Sequence, residues 1–73
     1  MIETDKFIEK SQMEVEICLS SHGYRYIRQI QLSGESFICE YINPEEKKKL
    51  QLVFRLYSKN AFCKKVYEEE YEE

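Results

Sequence analysis

Seventy-three residues, 42% of them hydrophobic, with six Tyr and four Phe, suffice for one folded domain spanning residues 1–73 and exclude a disordered chain. A chain this short buries only about 60% of its unfolded surface, which leaves little room for an enzyme built round a deep cleft. The net charge of −3 is the sum of three blocks: nine acids and four bases in residues 1–46, seven bases and no acid in 47–67, and five acids in 68–73.

Such segregation bears on partners and association rather than on fold. No stretch approaches the ~18 apolar residues of a membrane span. The opening MIETDKFIEK holds no apolar segment of the signal-peptide kind, so the expected location is the cytoplasm, with no membrane partner. Three widely spaced cysteines, Cys18, Cys39 and Cys63, read as reduced thiols that act as small hydrophobes.

In chain order, Thr4 is placed to cap a short helix over residues 5–10. From Met13, the alternation of Met13, Val15, Ile17 and Leu19 with Glu14, Glu16 and Cys18 predicts a half-buried strand. Ser20–Gly23 is a turn, residues 24–32 a second strand, Ser33–Glu35 a turn, and residues 37–42 a third strand. Asn43-Pro44-Glu45-Glu46 suits a helix start, and residues 50–57 satisfy helical and strand periods alike. Their Val, Phe, Leu and Tyr content favours a fourth strand, with residues 43–49 as a loop. Ser58 or Asn60 would then cap a final helix carrying Phe62, Cys63, Val66 and Tyr67 as its apolar stripe. The expected class is α+β: an antiparallel meander of three or four strands, a C-terminal helix packed on one face, and an acidic tail at 68–73.

Four constellations carry possible chemistry. Cys18, His22, Cys39 and Cys63 have zinc-ligand chemistry without zinc-site spacing, so no metal or cofactor is expected. Cys18 and Arg25 are one residue too far apart for a phosphatase loop, and no other catalytic motif is present, so the chain reads as a non-enzyme. Tyr24, Arg25, Tyr26 and Arg28, extended by Lys47, Lys48 and Lys49, offer rings and cations of the kind single-stranded nucleic acid needs, with Tyr24, Tyr26 and Arg28 on one strand face. The same tyrosines serve equally as a continuation of the core face towards Ile30 and Leu32.

The fourth is the acidic end, Tyr67, Glu68, Glu69, Glu70, Tyr71, Glu72 and Glu73, whose spaced carboxylates and rings can occupy a basic groove on a protein. The leading expectation is a small protein-binding inhibitor or adaptor of the phage or mobile-element kind, using that end against a partner with a basic surface. The alternative is a single-stranded nucleic-acid-binding module using Tyr24–Arg28 and Lys47–Lys49. An unpaired sheet edge and blocks of opposite charge also suit homodimerisation.

Overall fold

The computed structural model describes residues 3–71. The chain runs through a 3₁₀ turn (Thr4–Phe7), one helix α1 (Gln12–Ser21) and four strands, β1 (Arg25–Gln31), β2 (Ser36–Asn43), β3 (Lys48–Tyr57) and β4 (Asn60–Glu70). The strands form one antiparallel sheet in the order β1-β2-β3-β4. The α+β content agrees with the sequence, but the expected arrangement does not: residues 13–19, expected as the first strand of the meander, lie in α1. Nor does the placement of the helix: it lies near the N-terminus, and residues 60–70 form the last strand.

Two local devices explain the exchange. Ser11 sits at the N-cap of α1, where its Oγ accepts from the Glu14 N–H at 3.3 Å and its hydroxyl donates to the Glu14 carboxylate at 3.0 Å. This Ser-x-x-Glu capping pair starts a helix in a stretch that alternates like a strand. Val15 and Leu19, four apart, face the sheet and are buried, while Met13 and Ile17, the other pair four apart, are 72% and 66% exposed. Gly23, at φ 84°, ends the helix in the left-handed region, and the Tyr24 N–H returns to the Leu19 carbonyl at 3.0 Å.

At the other end, a bulge leaves Lys64 unpaired between Cys63, opposite Phe54, and Lys65, opposite Val53. The extra residue lets Cys63 and Val66 both pack on the core from a strand, although their spacing of three is helical. Ser58, expected as a cap, instead takes φ 58° in the two-residue turn between Tyr57 and Asn60. The expected helix over 5–10 shortens to the Thr4–Phe7 turn. Glu3 holds its cap position without a side-chain hydrogen bond, and Phe7 is buried.

The core lies between α1 and one face of the sheet. Phe37, Cys39 and Tyr41 of β2 and Leu50, Leu52 and Phe54 of β3 point into it, with the Phe37 and Phe54 rings stacked at 5.6 Å. Residues 9–11 cover part of the outer edge of β4. The Glu9 N–H donates to the Cys63 carbonyl at 2.8 Å, and the Cys63 N–H to Lys10 at 2.9 Å.

Asn43 is the polar bolt of the fold. Its Nδ2 donates to the His22 carbonyl at 3.1 Å, and its Oδ1 accepts from the Glu45 and Glu46 N–H groups, both at 3.2 Å. It ties the α1–β1 turn to the β2–β3 turn, so the helix-start signal at Asn43-Pro44 is spent on a turn. Asn43→Ala is expected to cost about 2–3 kcal/mol, because a buried residue loses three hydrogen bonds and strands their backbone partners. Urea unfolding at constant m measures this, and a loss below about 0.5 kcal/mol would remove Asn43 from this role.

Candidate functional site

The pleat sends alternate side chains to opposite faces of the sheet, and α1 covers one face only. On the other face the register builds three rows: Ile30, Ile38, Val53, Lys65; then Arg28, Glu40, Gln51, Tyr67; then Arg25, Ile42, Lys49, Glu69. Beyond them, Arg55 stands opposite Phe62, and Tyr57 follows Arg55 on the same side. Six cations, Arg25, Arg28, Lys49, Arg55, Lys64 and Lys65, share this face and its rim with two carboxylates, Glu40 and Glu69. Glu35 reaches in from the β1–β2 turn, with one carboxylate oxygen 3.4 Å from Arg55 Nη2.

Three aromatic rings stand among these cations. The Lys65 ammonium lies 5.0 Å from the Tyr67 ring centre. Lys64 Nζ is 4.8 Å and the Arg55 guanidinium 5.5 Å from the centre of Tyr57. Phe62 tilts against Tyr57 at 6.1 Å. Tyr57 and Tyr67 are about half exposed, so rings and cations alike present free surface.

Glu40 sits at the centre of the face, yet it is only 1% exposed, because its own partners close over it. Arg28 Nε donates to one carboxylate oxygen, while Gln51 Nε2 donates to the other at 2.7 Å and Lys49 Nζ lies 3.1 Å from it. The Arg28 guanidinium, and after it the Gln51 amide, hold the Glu40 carboxyl down at about 2 against an ordinary 4.5; burial works against this and Lys49 adds to it. Lys49 also lies 3.6 Å from Glu69, so one ammonium serves two strands.

The residues singled out in the sequence are distributed differently from expectation. Tyr24 precedes β1 and is buried in the core. A bulge at Ile27 separates Tyr26, opposite Tyr41 on the helix side, from Arg28, opposite Glu40 on the open side. Tyr24, Tyr26 and Arg28 therefore do not share a face, since one extra residue reverses the pleat. The lysine triplet is split as well: Lys47 lies in the turn at φ 54°, Lys48 is opposite Asn43 and Glu70, and Lys49 is on the open face.

The acidic end is also not a loose tail as far as Glu70. Glu68, Glu69 and Glu70 are β4 residues opposite Leu50, Lys49 and Lys48, and the Tyr71 N–H donates to the Lys47 carbonyl at 2.8 Å. Glu72 and Glu73 lie outside the described residues. Cys18 Sγ is 4.0 Å from His22 Nδ1, whereas Cys39 and Cys63 are buried, their thiols pushed up to about 11, chiefly by burial. Among the described residues, no three metal-ligand side chains converge, and no helix is long and apolar enough to cross a membrane.

Arg55, Tyr57, Phe62, Lys64, Lys65, Glu40 and Gln51 escaped the sequence reading. The alternation Lys49, Gln51, Val53, Arg55, Tyr57 along β3 is the signal that marks their face, once β3 is read as a strand.

Glu40 makes stability sensitive to acid. Its folded pKa lies below its unfolded value, so its contribution is fully present above about pH 4.5 and is lost as pH falls towards about 2. Glu40→Gln is expected to flatten that part of the stability curve. At neutral pH it should cost about 1–2 kcal/mol, discounted because Arg28 is mostly solvated. Urea midpoints between these pH values test this, and an unchanged acid-side slope would overturn it. No family model, curated protein or solved structure matches this chain.

Proposed function

We propose that this is a non-catalytic binding protein whose open sheet face takes single-stranded nucleic acid. The carrying observation is the interleaving of Tyr57, Phe62 and Tyr67 with Arg55, Lys64 and Lys65 on a face that no element covers among the described residues. Rings on a flat sheet stack bases of any identity, and cations beside them meet the phosphates that link those bases. Arg28, Lys49 and Arg25 continue the track across β3, β2 and β1, with Glu40 holding the first two in place. This keeps Arg25, Arg28 and Lys49 from the set first singled out and replaces its tyrosines with those of β3 and β4.

A second reading, a protein-binding inhibitor or adaptor, draws on Glu68 and Glu70. Both are exposed and fixed by β4 pairing, so they present carboxylates at a set spacing to a basic partner surface. Neither reading requires a dimer, and the bulge and two arginines on the β1 edge are devices that oppose edge-to-edge pairing.

Fluorescence anisotropy with labelled oligo-dT and oligo-U of about twelve nucleotides tests the first reading. Binding is expected at about 50 mM salt, weakening as salt rises. Phe62→Ala and Tyr67→Ala should each weaken it about 5- to 100-fold, and Lys64→Gln with Lys65→Gln should reduce the salt slope by about 1–2. Absence of binding, or indifference to these four changes, would reject it. If Glu68→Gln with Glu70→Gln instead releases a nuclease-resistant protein partner and leaves oligonucleotide binding unaltered, the second reading stands.

A further inference from the structure

The helix side of the molecule carries a groove of different chemistry. It has a volume of about 450 Å³, lies between α1 and the sheet, and is lined by Glu16, Ser20, Tyr24, Arg25, Tyr26 and Tyr41. Tyr41 forms an aromatic wall, and Tyr26 meets it edge-on at 5.7 Å while keeping 53% of its own surface exposed. Glu16 Oε1 accepts two long bonds, from the Tyr41 hydroxyl at 3.4 Å and from Gln12 Nε2 at 3.5 Å, and the second carboxylate oxygen remains for a ligand. Tyr24 is 6% exposed and lines the groove.

Carboxylates outnumber bases around the groove, whose lining holds one base, Arg25. Glu16 is in the wall, and α1 carries Glu14 and no base. Glu68 and Glu46 act on Tyr24 strongly enough to raise its pKa further, after burial has raised it first. Arg25 borders the groove, but it pairs opposite Ile42 and so starts out towards the open face of the sheet.

We infer that this groove binds an organic cation, an alkylammonium group such as a lysine side chain of a partner, with Tyr26 and Tyr41 against its methylenes and charge and Glu16 as its counter-ion. Aromatic faces attract such a cation through their quadrupole, and a carboxylate adds a directed hydrogen bond. An anion would meet Glu16 in the wall, with Glu46 and Glu68 acting on Tyr24 from nearby, and a neutral apolar ligand would leave Glu16 without a counter-ion. The site lies on the opposite side of the sheet from the proposed nucleic-acid face and does not depend on it.

The test is an NMR titration of the full chain with N-acetyl-lysine methylamide, to about 100 mM, which saturates a site of millimolar affinity. Amide shifts confined to Glu16, Ser20, Tyr24, Tyr26 and Tyr41 are expected, together with none from the uncharged Nε-acetyl analogue. Tyr26→Leu and Glu16→Gln change exposed side chains, so both should fold, and each should weaken binding about 3- to 30-fold. Arg25→Gln should leave binding unchanged or strengthen it. No localised shift, equal shifts from the neutral analogue, retention of full affinity in both Tyr26→Leu and Glu16→Gln, or loss in Arg25→Gln would each overturn the assignment.

Discussion

A four-stranded sheet has two faces, and this chain brings one ten-residue helix to cover them. The helix is about 15 Å long, and it buries only Val15 and Leu19 fully. That is enough to close a core over Phe37, Cys39, Tyr41, Leu50, Leu52 and Phe54 on one side. Hydrophobic burial there drives folding, and everything on the second face must be compatible with water. The candidate interface and its central ion network follow from that single shortage of covering structure.

The open face meets the constraint by mixing. Ile30, Ile38, Ile42 and Val53 give the β-branched packing that a strand favours, and long polar side chains lie over them. Glu40 is the extreme case, a carboxylate removed from water by its own cationic and amide partners on β1 and β3. Desolvation offsets part of the attraction, so the net contribution of Glu40 to stability is modest. Its consequence is positional: three strands are joined by one carboxylate, so the outward side chains of Arg28, Lys49 and Gln51 have fixed places. A surface held in this way loses less side-chain entropy when a ligand arrives.

β1 and β2 were legible because turn chemistry and alternation agreed around Gly23 and Ser33–Glu35, and β3 was legible from its Val, Phe, Leu and Tyr content, since residues 50–57 fit both periods. The two ends were not, and in each case the same ambiguity between periods was responsible. Met13, Val15, Ile17 and Leu19 contain two pairs four apart as well as a period of two, and the Ser11–Glu14 cap decides between them. Cys63 and Val66 share a face at helical spacing because the Lys64 bulge lengthens the strand locally. A bulge has no side-chain signature of its own, so the reversal at Ile27, which parted Tyr26 from Arg28, was also invisible. Part of the interface was read, Arg25, Arg28 and Lys49, but of its rings Phe62 and Tyr67 lay in the segment taken for a helix, while Tyr57 ended the strand before it.

The pleat also recasts the charge. Blocks that alternate in sign along the chain become unequal mixtures across the sheet: Glu68 and Glu70 go to the helix side with Glu14, Glu16 and one base, Lys48, while Arg55, Lys64 and Lys65 join the open side, where Glu40 and Glu69 are the acids. The shortest dimension of the molecule is 16 Å, and at physiological ionic strength charges are screened over about 8 Å. A partner approaching one face therefore meets that face alone, and the net charge of −3 describes neither. Only near 0.01 M salt, where screening reaches about 30 Å, does the field of the far side extend through the domain and oppose a ligand on the near one. Two binding surfaces of opposite preference can thus coexist on 73 residues, because the shortest dimension of the molecule is about twice the screening length at physiological ionic strength.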